Sequence, residues 1–157
     1  MIYKSHLTAI SRKDLPVPTR FLIKNGYLVG SILDYGCGKC HLINNKHFNA
    51  DGFDAHPSFP QSASIRINMG RYNTIICNYV LCVLPHEERL PILRTIQTLL
   101  TDNGTAYISV RNDKPTNGWG VSSKGTYQGR VRKLMLPLLY KNSQFRIYTL
   151  TKQTVLS

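Results

Sequence analysis

The segment from Ile32 to Cys40 (ILDYGCGKC) constrains the fold of this 157-residue chain more than any other. Two β-forming residues lead into Asp34, and two glycines, Gly36 and Gly38, follow within four residues. Glycine has no Cβ, so the backbone can turn sharply there and a ligand can approach it closely. A second acid, Asp54, ends another short apolar stretch twenty residues after the first. This order of strand, glycine turn, strand and acid predicts half of a nucleotide-binding α/β sheet, with the ligand at the carboxyl ends of the strands.

The residues around the two glycines argue against a dinucleotide as the ligand. A dinucleotide-binding turn has a third glycine three residues after Gly38, and this chain has His41 there. Asp34 would repel a phosphate but attract a cation, and S-adenosylmethionine carries both an ammonium and a sulfonium group. Asp54 would then accept hydrogen bonds from the ribose hydroxyls. The sequence therefore favours S-adenosylmethionine as the cofactor.

At these residues the chain resembles the class I, Rossmann-like S-adenosylmethionine-dependent methyltransferases. The ILDYGCGKC segment is similar to their first motif, Gly52–Asp54 to their second-strand acid, and Ile75–Leu84 to their fourth strand and its turn. The likeness covers roughly residues 31–110. It implies a compact α/β three-layer sandwich with a mostly parallel sheet, an antiparallel edge strand and S-adenosylmethionine as cofactor.

A narrower resemblance involves the ends of the chain as well. Thr8–Leu22 (TAISRKDLPVPTRFL), the core and Lys124–Gln128 (KGTYQ) together are similar to small bacterial methyltransferases associated with DNA phosphorothioation. That likeness fixes no substrate. The chain departs from the general pattern between residues 55 and 66, where Pro57 and Pro60 interrupt any helical periodicity. We therefore expect the helix between the second and third strands to be reduced or absent.

The resemblance implies a set of cofactor-binding residues and a smaller set on the acceptor side. The predicted cofactor contacts are Asp34, Tyr35, Gly36, Cys37, Gly38, Asp54, Ala55, Asn68, Met69 and Asn78. The predicted catalytic residues are Asn78, Tyr79 and Tyr127. An amide cannot take up a proton at neutral pH, so we expect Asn78 to touch the cofactor rather than act as a base. Tyr79 could stack a planar substrate or simply pack, and Tyr127 could close over the substrate from a glycine-punctuated loop.

Charge is distributed unevenly along what we expect to be one domain, residues 1–157. A basic helical segment (1–30) precedes the cofactor core (31–110), and a basic substrate-side segment (111–157) follows it. The net charge is +12, and the last segment alone has nine Lys and Arg against one acid. This asymmetry predicts a nucleic acid partner, RNA or DNA, bound through the basic ends. The alternative is a basic surface that serves solubility only.

Other sequence features predict where in the cell the protein is located and argue against haem, redox or zinc chemistry at its cysteines. No apolar run is long enough for a membrane span, and Met1–Ile10 lacks a signal-peptide pattern, so we expect a cytoplasmic protein with reduced cysteines and no membrane partner. The Cys37–His41 string could indicate haem attachment, a redox pair or a zinc site, but its surroundings fit none of these and no metal is expected. Cys77 and Cys82 are expected to pack in the core.

Three alternatives to a nucleic-acid methyltransferase stay open. They are a nucleic-acid-binding module with a vestigial cofactor pocket, a small-molecule methyltransferase, and an enzyme that cleaves S-adenosylmethionine.

The spacing of apolar residues and of helix-ending residues predicts the secondary structure. Helices are predicted over residues 16–25, 39–48, 86–100 and 130–140, and strands over 31–35, 50–54, 64–68, 74–78, 105–110 and 145–151, the last one antiparallel at the sheet edge.

Overall fold

The structure, a computed structural model, describes residues 14–38, 42, 47–54, 70–115 and 118–157. Its helices are α1 (Val17–Lys24) and α2 (His86–Leu99), and a 3-10 turn covers Val80–Val83. Its strands are β1 (Ile32–Tyr35), β2 (Ala50–Phe53), β3 (Tyr72–Asn78), β4 (Leu100–Arg111), β5 (Gly120–Val121), β6 (Tyr127–Gln128), β7 (Leu138–Lys141) and β8 (Phe145–Thr151). The predicted strand 64–68, most of the predicted helix 39–48 and the proline-containing stretch between the second and third strands lie outside the described residues.

Six of the described strands form one sheet in the order β2-β1-β3-β4-β8-β7. Strands β1 to β4 pair in parallel, and β8 pairs antiparallel with both β4 and β7. The centre of β3 is fully buried from Ile75 to Cys77, because a parallel strand is covered on both faces and therefore needs a continuous apolar run. The predicted α/β fold, with a mostly parallel sheet and an antiparallel edge strand, is confirmed.

Apolar residues on the two faces of the sheet form separate clusters. On one face, Leu33, Ile75 and Cys77 lie in a cluster with the apolar side of α2. On the other face, Ile32 and Ile76 lie in a cluster with Leu22 of α1. Successive strand residues point to opposite faces, so one short strand supplies both clusters. The two described helices therefore cover opposite faces of the sheet, which gives the three layers that the family resemblance implies.

The predicted helix over residues 130–140 is wrong. The described chain has no helix there, and β7 begins at Leu138 as the antiparallel edge strand. The carbonyl oxygen of Pro137 accepts a hydrogen bond from the N–H of Thr149 at 3.0 Å, and Val131 is buried in the core. Pairing with β8 satisfies backbone groups that a helix would have bonded locally, so tertiary contacts override the local helical pattern.

Three smaller predictions are also corrected. The strand predicted over residues 105–110 begins earlier, because β4 starts at Leu100 directly after α2 and has a register irregularity against β3. Strand β8 lies one position inside the sheet edge, because β7 covers it. The predicted loop 125–128 contributes to a two-stranded hairpin of β5 and β6. No described helix has the length and apolar character that crossing a membrane requires.

Candidate active site

The strand register brings the predicted cofactor acids and the predicted catalytic turn to one edge of the sheet. Asp34 in β1 pairs with Gly52 of β2 on one side and with Ile76 of β3 on the other. Because these strands are parallel, their carboxyl ends meet at the same edge. Asp54 directly follows β2, and Asn78 is the last residue of β3. The residues that the sequence singled out in three separate segments therefore share one edge.

Backbone hydrogen bonds fix the glycine turn that follows β1. The carbonyl oxygen of Phe53 accepts the N–H groups of Gly36 at 2.7 Å and Cys37 at 2.9 Å. The Asp54 Oδ2 atom accepts the N–H of Gly38 at 2.9 Å. One carboxylate oxygen of the second-strand acid thus holds the turn in place, a role that the sequence did not predict for it.

Both the backbone conformation at position 36 and a neighbouring side chain require glycine there. Its φ is +76°, a conformation that L residues with a side chain rarely adopt. A Cβ at Gly36 would overlap the Cγ2 atom of Val80, the first residue of the 3-10 turn. The cofactor turn and the turn after β3 are therefore in direct contact.

Asp34 has an unusual environment for an acid. Burial, together with the smaller effect of the negative charge of Asp54, raises the pKa of Asp34 to about 7. Burial also raises the pKa of the Cys77 thiol, and the charge of Asp34 adds to that effect. A cation bound at this edge would relieve the repulsion between the two acids and favour the ionised form of Asp34.

The cysteines follow the sequence predictions only in part. Cys77 and Cys82 are free thiols and fully buried, which confirms their packing role. The expectation that every cysteine is reduced is wrong for Cys37, which is disulfide-bonded. Cys40 and His41 lie outside the described residues.

Asn78 and Tyr79 are held by two buried hydroxyl residues. The Asn78 Nδ2 group donates to Thr19 Oγ1 of α1 at 2.7 Å, and Ser109 Oγ of β4 donates to Asn78 Oδ1 at 2.9 Å. The N–H of Tyr79 donates to the carbonyl oxygen of Ser109 at 3.0 Å. Tyr79 has φ +62°, the only positive value among the described residues other than glycine. Such strained residues cluster at functional sites, where the surrounding structure holds them.

The hairpin that carries Tyr127 lies against the same turn. The N–H of Gly129, directly after β6, donates to the carbonyl oxygen of Cys82 at 2.6 Å. The position that a Cβ of Gly129 would occupy lies 2.5 Å from Tyr127 Oη and 2.7 Å from Arg89 Nη2. The structure therefore brings Tyr127 to the turn that follows Tyr79. The other predicted contacts, Ala55, Asn68 and Met69, lie outside the described residues.

Comparison with known proteins places this geometry in a family. A family model for a methyltransferase domain matches residues 12–149. The chain belongs to this methyltransferase-domain family. A search of curated proteins returned no significant match.

Solved structures share the fold of this methyltransferase domain at low sequence identity. The chain is similar to 1,6-didemethyltoxoflavin-N1-methyltransferase from Burkholderia thailandensis, solved with 1,6-didemethyltoxoflavin and S-adenosylhomocysteine (TM-score 0.56, 11% identity, covering 83% of this chain and 74% of that one). It is also similar to DhpI in its SAH complex (TM-score 0.53, 9% identity, 76% and 74%). The chain spans 21% of PKMT2 from Rickettsia typhi (TM-score 0.42, 20% identity, 52% of this chain) and about half the length of several other matched structures.

Sequence reasoning missed four residues of the methyltransferase domain's candidate site. Val80, Thr19 and Ser109 act through contacts between distant segments, which leave no local pattern. Arg89 did leave a signal. It precedes Leu93 by four residues and Ile96 by seven, so it is a charged residue on the apolar stripe of α2.

Proposed function

We propose that this protein is an S-adenosylmethionine-dependent methyltransferase whose acceptor is a nucleic acid. The observation that carries the proposal is the acid pair at the glycine turn on the carboxyl edge of the sheet, formed by the desolvated Asp34 and the half-buried Asp54. The ionised form of Asp34 attracts a cationic ligand and repels an anionic one, and a bound cation would in turn favour that ionised form. When bound, S-adenosylmethionine supplies a methyl group activated by its sulfonium.

The chain's own residues divide into a cofactor side and an acceptor side. Asp34 pairs with the positive charge of the cofactor, and the segment Tyr35–Gly38 provides the backbone surface that faces it. Asp54 orients that segment and can accept hydrogen bonds from the ribose hydroxyls. Asn78, Tyr79 and Tyr127 form the mouth through which the acceptor enters.

Methyl transfer from a sulfonium is an in-line displacement, so orientation of the two reactants can supply most of the rate enhancement. The rigid setting of Asn78 between Thr19 and Ser109 suits that task, since it fixes the backbone of Tyr79 beside the mouth. No described side chain needs to act as a strong base for such a step.

The nucleic acid acceptor is supported by where the strand register puts the basic residues. Arg146 of β8 pairs with Val110 of β4, and Lys141 of β7 pairs with Arg146, so both lie toward the edge that holds Asn78. The exposed residues Arg132 and Lys133 follow the hairpin. Phosphate attraction to such a surface is sequence-independent and salt-sensitive. The small-molecule methyltransferases among the similar structures share only the fold, so they do not select an acceptor.

Incubation with methyl-tritiated S-adenosylmethionine and separate RNA, DNA and metabolite fractions tests the proposal. We expect label in a nucleic acid fraction. Label in the metabolite fraction alone would contradict the proposal that the acceptor is a nucleic acid.

Calorimetry tests the cofactor site. Asp34→Asn should weaken S-adenosylmethionine binding about 10- to 100-fold, the loss of one charged interaction, whereas Asp102→Asn, which removes an exposed acid, should not.

The same experiments separate the remaining alternatives. A vestigial module binds nucleic acid without binding the cofactor, and a cofactor-cleaving enzyme releases products without an acceptor. The narrower likeness to phosphorothioation-associated methyltransferases and the cytoplasmic location stay predictions. The first would be supported if DNA carrying a phosphorothioate linkage became labelled.

A further inference from the structure

Arg89 is a buried cation beside the candidate acceptor mouth. It lies on the covered face of α2 with 9% of its surface exposed, and its Nε donates to the carbonyl oxygen of Leu81 at 3.0 Å. The ion pairs found among the described residues join other arginines to acids, and none involves Arg89. Burying a guanidinium without a counter-ion is costly, so its retention at this place calls for an anion.

The tip of Arg89 is directed at the hairpin. Its Nη2 and the hydroxyl of Tyr127 both crowd the space above Gly129, at 2.7 Å and 2.5 Å from the position of a Cβ there. The backbone N–H of Gly129 donates a hydrogen bond to the carbonyl oxygen of Cys82, which lies in the 3-10 turn that follows Tyr79. A guanidinium and a phenolic hydroxyl therefore meet where the acceptor would enter.

Two further arginines, Arg111 and Arg146, act on the Cys82 thiol in this region. Burial raises the pKa of the Cys82 thiol, and the charges of Arg89, Arg111 and Arg146 all act against that rise. The Nε of Arg146 is buried without a hydrogen-bond partner. Its terminal nitrogens donate to the carbonyl oxygens of Val131 and Arg132. Of the three arginines, only Arg111 has a carboxylate partner among the described residues, Asp113.

We propose that Arg89 and the Tyr127 hydroxyl bind one phosphate group of the methyl acceptor. The planar fork of a guanidinium matches two phosphate oxygens, and the hydroxyl can donate to a third. This inference rests on the proposed function for the source of the phosphate, which is a nucleic acid backbone. A mononucleotide would offer the same chemistry, so the experiment includes both.

Titration with inorganic phosphate, followed by NMR of the backbone amides, tests the site itself. We expect millimolar binding that perturbs Gly129 and the hairpin, and a loss of at least about 10-fold in Arg89→Gln. Arg94→Gln is the matched control, since Arg94 lies on the exposed side of the same helix. Equal phosphate affinity in Arg89→Gln and the wild type would overturn the proposal.

Two milder variants keep the test decisive if Arg89→Gln does not fold. Arg89→Lys retains the charge but loses the fork, and Tyr127→Phe removes only the hydroxyl. Each should weaken phosphate binding by about 3- to 10-fold while S-adenosylmethionine affinity stays as in the wild type. Unchanged phosphate binding in both variants would overturn the proposal.

A second arm uses an RNA oligonucleotide without terminal phosphates, and adenosine monophosphate as a competitor. If the backbone supplies the phosphate, Arg89→Gln lowers the salt dependence of oligonucleotide binding by about one unit of slope, and Arg94→Gln leaves it unchanged. If Arg89→Gln changes neither the affinity for the oligonucleotide nor its salt dependence, the phosphate site is overturned, but the proposed function is not. Arg89-dependent binding of the monophosphate without oligonucleotide binding supports the site and overturns the nucleic acid acceptor.

Discussion

At the scale of single residues, Gly36 joins the two halves of the candidate site. Its positive φ and its contact with Val80 both exclude a side chain. We predict that Gly36→Ala lowers the free energy of unfolding by about 2–4 kcal/mol, since backbone strain and an overlap add. It should also weaken S-adenosylmethionine binding. Chemical unfolding and calorimetry measure the two effects.

The chain offers both a control and a rescue for this variant. Gly26 has a similar φ, +72°, but open space where a Cβ would lie, so Gly26→Ala isolates the backbone strain. Adding Val80→Ala to Gly36→Ala removes the overlapping methyl group and should recover part of the lost stability. Equal costs at the two glycines would show that the contact with Val80 is unimportant.

Asp34 makes stability depend on pH in a direction opposite to that of an ordinary salt-bridged acid. Its pKa of about 7 in the folded protein lies above that of the unfolded chain, so the folded state binds more protons between about pH 4 and pH 7. The free energy of unfolding should therefore fall as pH rises through this window. The contribution of this one group is at most about 1.4 kcal/mol per pH unit.

The measurement compares wild type with Asp34→Asn, in which the side chain stays neutral. Urea unfolding at pH 5 and pH 7.5 should show the wild type losing stability relative to the variant as pH rises. The cofactor should reverse the trend, because a bound cation favours the ionised acid. Parallel pH profiles for the two proteins would rule out a raised pKa at Asp34.

At the scale of elements, a buried hydroxyl links α1 to β3 in addition to the apolar cluster that holds Leu22 and Ile76. Thr19 is fully buried, and its Oγ1 accepts the amide of Asn78. We predict that Thr19→Val lowers the free energy of unfolding by about 1–3 kcal/mol, because it leaves the Asn78 amide without its partner. It should also lower kcat more than it raises KM for the cofactor, since it disturbs the orientation of the mouth.

A threonine on the surface provides the comparison. Thr98 of α2 is exposed and donates its hydroxyl to the carbonyl oxygen of Thr95. Thr98→Val should change stability by less than about 0.5 kcal/mol and leave methyl transfer intact. If Thr19→Val behaved in the same way, the Asn78 contact would have no positioning role.

The elements also show what sequence can and cannot predict. Strand β3 was predictable because its buried centre leaves a continuous apolar run, and β1 with the glycine turn after it was predictable because the residue types of that segment are restrictive. The edge strand β7 was not, since its partner β8 lies beyond a further turn and its own leucines favour a helix. In the site, the acids and glycines belong to a motif, whereas Thr19 and Ser109 meet Asn78 only through the folded sheet.

At the scale of the whole molecule, the sheet register separates the basic residues of the C-terminal segment between two ends. Lys141 pairs with Arg146, and Arg146 pairs with Val110 at the carboxyl end of β4. Lys152 follows Thr151, which pairs with Thr105 toward the other end of that strand. The two exposed lysines are chemically identical, but only Lys141 lies toward the edge that holds the candidate site.

This arrangement predicts different effects of the two lysines on nucleic acid binding. Lys141→Gln should weaken binding of an RNA or DNA oligonucleotide and reduce the slope of log K against log salt by about one, as expected for one lost phosphate contact. Lys152→Gln should leave both the affinity and the slope unchanged. Fluorescence anisotropy over a series of salt concentrations measures both quantities. Equal losses of affinity in the two variants would mean that oligonucleotide binding depends on net charge alone. The carboxyl edge of the sheet would then not be the acceptor surface.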